Sequence, residues 1–203
     1  MIGIINYGMG NLASVLNGLK ALELDAEIVD NPNDLDRYER LILPGVGAFK
    51  QAMDNLRESG FKTALDAIVE KGDKPLLGIC LGMQLLFEKS FEHGENTGLG
   101  YIPGEVLPFG DQVKNHRIPH VGWNTVYPQS GSRLLPEQAE DFYFVHSFYC
   151  HPTGDEEQKG MTEYEIKFCS VVEHGQVFGA QFHPEKSQKH GLQLLKKFAE
   201  LPC

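Results

Sequence analysis

The pentapeptide Gly78–Gly82, Gly-Ile-Cys-Leu-Gly, constrains the fold of this chain more than any other feature. It follows an apolar run, Pro75–Ile79, which predicts a buried strand, and it precedes Met83–Glu88, which has the pattern of a helix. A Gly-x-Cys-x-Gly sequence between a strand and a helix is typical of a nucleophile elbow with cysteine in place of serine. The glycines are needed because the turn leaves no room for Cβ atoms beside the nucleophile. The alternative is that Cys80 is a small buried side chain in a glycine-rich turn.

The elbow predicts a nucleophilic thiol at the end of a strand. Cys80 is expected to stand above the edge of the sheet, where the N-terminus of the following helix favours the thiolate. The backbone amide of Leu81 is expected to point at the oxygen of an attacked carbonyl group.

The first half of the chain alternates strands with helices. Apolar runs predict strands at Ile2–Asn6, Ala26–Asp30, Leu41–Leu43 and Pro75–Ile79. Apolar residues at helical spacing predict helices over Leu12–Leu22 and Phe61–Val69. This alternation predicts an α/β fold with a largely parallel central sheet, right-handed crossovers and helices on both faces.

The second half of the chain is dominated by strands. They are predicted at Tyr101–Phe109, Val121–Tyr127, Phe142–Tyr149, Tyr164–Val172 and Val177–Phe182. The last two flank Glu173–Gln176, which predicts a hairpin turn, and a closing helix spans Leu192–Ala199. We therefore expect an antiparallel extension of the sheet and, without a recognisable linker or repeat, a single domain over residues 1–203.

Charge argues against a nucleic-acid partner. Lysine and arginine number 18 against 28 acidic residues, a net charge of −10, with no basic cluster to neutralise phosphates. No apolar run approaches the roughly 20 residues that span a bilayer, so no membrane association is expected. Met1–Ile5 lacks the basic flank of a signal peptide and resembles the first strand.

The cysteines are too far apart for the usual zinc spacings. Cys80, Cys150, Cys169 and Cys203 form no Cys-x-x-Cys pair, and a chain of this length does not need disulfides. We expect reduced thiols, no metal and a cytoplasmic protein.

A second motif, Gln181–Glu185, supplies a partner for the thiol. In an extended segment, residues two apart project to the same side, so Glu185 is placed to accept a hydrogen bond from His183. The other ring nitrogen then faces a thiol, which completes a Cys-His-Glu triad. A lone histidine near a strand end is usually structural, but apart from His93 with Glu95 no other histidine here has a carboxylate two residues later.

A glycine-rich segment offers a different interpretation. Gly8, Gly10 and Ala13 match a dinucleotide fingerprint after the first strand, with Asp30 about twenty residues later. This alternative makes the chain a dinucleotide-binding protein. It leaves little room for a separate catalytic domain and treats the cysteine elbow as a coincidence.

In their order, these motifs resemble the triad-type, or class I, glutamine amidotransferases, and among them the glutaminase subunits of imidazole glycerol phosphate synthase. The resemblance covers nearly the whole chain. Gly78–Gln84 and Phe182–Ser187 are specific to the class, and Pro44–Gly47 with Pro119–Asn124 indicates the subfamily. The remaining matching segments are Asn6–Asn11 and Tyr143–Ser147.

The resemblance implies hydrolysis of L-glutamine to glutamate and ammonia without a cofactor. Cys80 attacks the side-chain amide, His183 protonates the leaving ammonia and then activates water, and Glu185 holds His183. The implied oxyanion hole comprises Gly45, Val46, Gly47 and Leu81. The implied glutamine-binding residues are Gln84 and Glu92, with His146 and Ser147 where backbone amides meet the α-carboxylate.

The resemblance also implies a heterodimer. The ammonia passes to a (β/α)8 barrel cyclase that makes imidazole glycerol phosphate in histidine biosynthesis. The residues implied to face this partner are Asn11, Pro119, Trp123, Tyr143 and Lys186.

Other functions share parts of this pattern. A paralogous group of glutaminase subunits, which act in amidino-sugar synthesis for surface polysaccharides, has the same elbow and triad, and Gly98–Ile102 does not separate the two. Val121 stands where the family often has methionine. A cysteine hydrolase of the peptidase type fits Pro44–Gly47, Gln84 and Glu92 poorly, and the intact triad disfavours a non-enzymatic protein.

Overall fold

A computed structural model describes residues 1–202, apart from the side chain of Asp111. Cys203, for which a reduced thiol is predicted, lies outside the described residues. The first half of the chain contains four strands, β1 Ile2–Ile5, β2 Ala26–Val29, β3 Arg40–Gly45 and β4 Leu76–Cys80. It also contains four helices, α1 Leu12–Ala21, α2 Phe49–Glu58, α3 Phe61–Lys71 and α4 Leu81–Leu85.

Strands dominate the rest of the chain. Its strands are β5 Phe87–Ser90, β6 Asn96–Thr97, β7 Ile102–Pro108, β8 His120–Pro128, β9 Glu140–His146, β10 Phe148–Pro152, β11 Gln158–Tyr164, β12 Ile166–His174 and β13 Val177–Ala180. The chain closes with helix α5, Gln188–Glu200. Short 3₁₀ segments lie at Pro32–Arg37, Gly110–Gln112 and Pro184–Lys186.

The sheet joins a parallel half to an antiparallel half. Strands β2, β1, β3, β4 and β13 are parallel neighbours in that order. Next to β13, the strands β12, β10 and β7 follow in antiparallel order, and β5 and β6 close the edge. The β8–β9 hairpin attaches to the sheet through β11. The predicted fold class, a largely parallel sheet with an antiparallel extension, is confirmed.

Helices cover both faces of the parallel half. Successive side chains of a strand point to opposite faces, and Ile4 accordingly packs in one hydrophobic cluster while Ile5 packs in the other. Apolar residues of α1 and α5 belong to the first cluster, and those of α2 and α3 belong to the second. Strands β1, β3, β4 and β13 are therefore buried on both sides, as the continuous apolar runs predict, whereas the edge strand β2 is half exposed.

Three sequence predictions differ from the structure. The predicted helix over Met83–Glu88 is wrong after Leu85, because β5 begins at Phe87. The predicted strand Phe142–Tyr149 is broken at Ser147 into β9 and β10. The predicted strand Tyr164–Val172 begins too early, because Glu165 has a φ of +59° and joins β11 to β12.

The described residues contain no helix that is long and apolar enough to cross a membrane. Their three cysteines, Cys80, Cys150 and Cys169, are free thiols, as predicted. Burial raises the pKa of Cys169 to about 12 and that of Cys150 well above its usual range. These two thiols are therefore protonated at neutral pH and suited to packing.

Candidate active site

Three parallel strands end at the same edge of the sheet and build the site. In the register, Gly45 at the end of β3 pairs with Cys80 at the end of β4. Ala180 at the end of β13 pairs with Ile79. The chain then continues from β13 into Gln181–Glu185, so segments that are about a hundred residues apart in sequence meet at Cys80.

The backbone at Cys80 is strained, and the turn is so crowded that positions 78 and 82 must be glycine. Cys80 has φ 56° and ψ −111°, a conformation that side chains rarely adopt. A Cβ atom on Gly82 would overlap the Leu43 carbonyl oxygen, and one on Gly78 would lie 2.6 Å from the Gly82 carbonyl oxygen. Leu81 is the first residue of α4, so its amide has no partner within the helix. With five residues, α4 contributes only a small dipole.

His183 lies between the thiol and a carboxylate. Its Nδ1 is 2.8 Å from Glu185 Oε1, and the side chains are only 4% and 1% exposed. Burial by itself lowers the pKa of His183, but hydrogen bonds and charge interactions with Cys80 and Glu185 outweigh burial and raise this pKa to about 9. The imidazole is therefore protonated at neutral pH, which places a positive charge beside the sulfur.

Ser187, for which the sequence predicted no role of its own, fixes the segment that carries the histidine. Its hydroxyl donates to the His183 carbonyl oxygen at 2.7 Å and accepts from the Tyr143 amide at 2.9 Å. The His183 amide in turn donates to the Tyr143 carbonyl oxygen at 2.9 Å. The position of His183 relative to Cys80 is thus set by β9 as well as by β13.

The segment Pro44–Gly47 follows β3 and lies beside Cys80. Val46 is 41% exposed, and Gly47 has a φ of +105°, which favours glycine. A Cβ atom on Gly47 would lie 2.7 Å from Met9 Cε, and one on Gly10 would lie 3.3 Å from Pro44 Cγ. The glycine-rich segment after β1 therefore packs against Pro44–Gly47.

A pocket of about 340 Å³ opens at this edge. It is lined by predicted site residues from all four groups, namely Val46, Gly47, Cys80, Leu81, Gln84, Glu92, Pro119, His146, Ser147, His183 and Lys186. Val145 and Phe148, which the sequence did not single out, also line it. Glu92 Oε2 accepts from the amide of Phe49 at 2.5 Å, which fixes the Glu92 side chain at the start of α2.

The ring of His146 is turned into the protein. Its Nδ1 donates to the Phe148 carbonyl oxygen at 2.8 Å, and its Nε2 lies 2.9 Å from His120 Nδ1. Burial lowers the pKa of His146 to about 3, and the charge of His120 adds to the shift. The ring has no nitrogen left for a ligand, so the backbone of His146 is the part available to one.

The predicted partner-facing residues lie near His183 or at the mouth of the pocket. Trp123 is 50% exposed on β8, and its ring centroid lies 6.0 Å from that of Tyr143 on β9. Pro119 and Lys186 line the pocket. Asn11 lies in a narrow gap beside His183 and Glu185, and its Oδ1 caps α1 by accepting from the Ser14 amide.

Comparisons with a family model and with individual known proteins point to the same family. The family model for class I glutamine amidotransferases matches residues 3–201. The imidazole glycerol phosphate synthase subunit HisH of Wolinella succinogenes is 49% identical over 99% of this chain and 100% of its own length. The HisH subunit of Moorella thermoacetica is 48% identical over 98% of this chain and 94% of its own length.

Solved structures with lower sequence identity share the fold. A glutamine amidotransferase crystal structure superposes with a TM-score of 0.78 at 22% identity, covering 98% of this chain and 97% of its own. A chain of the PurLQS structure from Thermotoga maritima superposes with a TM-score of 0.77 at 18% identity, covering 98% of this chain and 97% of its own.

Proposed function

Because the chain belongs to the class I glutamine amidotransferases, in the group of the HisH subunits of imidazole glycerol phosphate synthase, we propose that it hydrolyses L-glutamine with a Cys80-His183-Glu185 triad and delivers the ammonia to a synthase partner. The observation that carries the proposal is the arrangement of His183, which contacts a buried carboxylate on one side and the elbow cysteine on the other.

The raised pKa of His183 gives an imidazolium at neutral pH, and the attacking form in this proposal pairs it with the Cys80 thiolate. The Cys80 sulfur attacks the side-chain carbonyl carbon of glutamine, and the carbonyl electrons move onto oxygen. His183 gives its proton to the amide nitrogen as the carbon–nitrogen bond breaks, which leaves a glutamyl thioester and ammonia. His183 then takes a proton from water, whose oxygen attacks the thioester and releases glutamate and the thiolate.

The oxyanion formed in both steps needs hydrogen-bond donors beside Cys80. The amide of Leu81 is free of helix bonding, and the amides of Gly45, Val46 and Gly47 belong to the adjacent segment. A single donor of this kind contributes on the order of 10² to 10³ in turnover.

The other polar residues of the pocket suit the two charged groups of the amino acid. Glu92 is assigned to the α-ammonium group as a negative charge, and Gln84 as an amide. The backbone of His146 and Ser147 is assigned to the α-carboxylate. These roles explain why a small pocket carries several polar groups besides Cys80 and His183.

We assign the partner surface to Asn11, Pro119, Trp123, Tyr143 and Lys186. The half-exposed Trp123 lies on the same strand as Val121, which is 56% exposed, and an exposed tryptophan is a frequent anchor of protein interfaces. The names of the relatives favour a cyclase of the imidazole glycerol phosphate pathway, expected to be a (β/α)8 barrel, over the polysaccharide alternative.

Labelling with 6-diazo-5-oxo-L-norleucine, followed by mass spectrometry of peptides, tests the proposal. We expect modification of Cys80 alone, since Cys150 and Cys169 are buried and protonated. Labelling of either of these thiols instead, or none at all in the presence of the barrel partner, contradicts it.

A further inference from the structure

Gln84 poses a question of orientation, because a side-chain amide offers a ligand either an oxygen or an NH₂ group. Only the oxygen accepts a hydrogen bond from an ammonium group. The surroundings of Gln84 therefore decide which kind of ligand this part of the pocket accepts.

The carbonyl oxygen of Phe148 decides the orientation. It lies 3.1 Å from Gln84 Nε2 and also accepts from His146 Nδ1 at 2.8 Å. A carbonyl oxygen only accepts, so turning the Gln84 amide over would bring two oxygens into contact. The Nε2 group must face Phe148.

Gln181 takes the other proton of the same NH₂ group. Its Oε1 accepts from Gln84 Nε2 at 3.2 Å, and its side chain is fully buried. Gln181 Nε2 is itself buried with no hydrogen-bond partner among the described residues, which is unfavourable. An apolar residue would avoid that cost, so the amide is explained by what it does for Gln84. With both Nε2 protons used, Gln84 is left with Oε1 for a ligand.

The tautomer of His146 is fixed by His120 and Asn124. Asn124 Nδ2 lies 3.0 Å from the Glu163 carbonyl oxygen and 3.2 Å from His120 Nε2, so it donates to both. His120 therefore carries its proton on Nδ1 and donates it to His146 Nε2 at 2.9 Å. His146 must then carry its own proton on Nδ1, facing Phe148.

We propose that Gln181 and the His120–His146 pair are positioning residues that hold the Gln84 amide with its oxygen toward the pocket, so that the site selects substrates with an α-ammonium group. The inference rests on the proposed glutaminase function. It concerns side chains behind the pocket wall: Gln181 meets the substrate only through Gln84, and the two histidine rings act only through the Phe148 carbonyl, whereas the backbone of His146 keeps its separate role at the α-carboxylate.

Two substrates and three variants test it, with ammonia release measured for the chain in complex with its barrel partner. The substrates are L-glutamine and glutaramic acid, which lacks the α-amino group. Gln181→Met removes the acceptor at similar volume, and His120→Phe keeps the ring that stacks 4.0 Å from Tyr164. Gln176→Met is the control, because Gln176 also has one unpartnered buried amide atom but lies at the opposite end of β13.

We expect Gln181→Met to raise KM for L-glutamine about tenfold with little change in kcat, as befits one hydrogen bond near a charged group. His120→Phe should raise KM by a smaller factor. Both should leave kcat/KM for glutaramic acid unchanged, and Gln176→Met should change neither substrate. Equal losses on both substrates, or an unchanged KM in both variants, overturn the inference. A wild-type complex that releases no ammonia from glutamine instead refutes the proposed function.

Discussion

His183 and His146 line the same pocket and are both nearly buried, yet their pKa values lie far apart. That of His183 is raised from 6.5 to about 9, and that of His146 is lowered from 6.5 to about 3. His183 faces the Glu185 carboxylate and the Cys80 sulfur, whereas His146 faces a carbonyl oxygen and a second histidine.

Burial alone therefore does not set the charge of a histidine. Desolvation lowers both pKa values, and only anionic partners reverse the shift. The charged histidine follows the parallel half of the sheet, where bond-making is proposed, and the neutral one lies in the antiparallel half, where recognition of glutamine is proposed. Substitutions that perturb one histidine environment and leave the other intact can therefore separate the two roles.

The largest effect is expected from removing the sulfur. Cys80→Ala should reduce glutamine hydrolysis by about 10⁶ in kcat, because no group remains to form the thioester. Ammonia-dependent synthesis by the complex should continue, since the rest of the chain is intact. Steady-state assays with glutamine and with ammonium salts check both halves. Retention of more than a small fraction of the glutaminase activity contradicts the assignment.

Glu185→Gln should cost less, roughly 10⁴ in kcat, because it removes the charge that supports His183 but leaves the nucleophile. The pKa of His183 should fall as well, and the alkaline limb of the kcat/KM profile should move to lower pH. An unchanged pH profile would show that the carboxylate has no part in the charge of His183. The residues proposed to recognise glutamine should be unaffected, so the glutamine affinity measured by calorimetry should equal that of the wild type.

Gly47→Ala tests the segment beside the elbow. The φ of +105° is unfavourable for alanine, and the new Cβ would lie 2.7 Å from Met9 Cε. Displacement of one oxyanion donor should lower kcat by on the order of 10² to 10³ without changing the rate at which Cys80 reacts with iodoacetamide. A parallel loss of thiol reactivity would place the damage in the triad.

The neutral histidines should make the protein sensitive to acid. The folded-state pKa values of His120 and His146 lie at about 4 and about 3, below the usual 6.5. The unfolded chain therefore binds protons below pH 6.5 that the folded chain excludes. Their contribution to stability is complete above pH 6.5 and is lost as the pH falls toward 4, by at most about 1.4 kcal/mol per pH unit for each histidine. Urea unfolding between pH 7 and about 5 measures the slope, which should be shallower in His120→Phe. Equal slopes would contradict the assignment of neutral rings.

The sequence predicts the parallel half of the site better than the antiparallel half. The Gly78–Gly82 turn and the Gln181–Glu185 segment are local patterns, and the parallel strands that carry them have continuous apolar runs. The proposed glutamine-recognition residues depend on hydrogen bonds between side chains that are distant in sequence, such as Gln84 with Gln181, 97 residues apart.

The missed contacts also involve backbone atoms. The Phe148 carbonyl oxygen is available because the strand is interrupted at Ser147, between β9 and β10. The apolar pattern of Phe142–Tyr149 does not reveal this interruption. Helix α2 was not predicted, although it supplies the amide that holds Glu92. A side-chain pattern says little about which carbonyl will accept a bond.

The most direct test of the contrast between the two histidines is an NMR titration of their imidazole nitrogens in the ¹⁵N-labelled chain, with assignment by His183→Asn and His146→Asn. We predict that His183 remains an imidazolium up to about pH 9 and that His146 remains neutral down to the onset of acid unfolding. Titration of both rings near pH 6.5, or of His183 below His146, would contradict it.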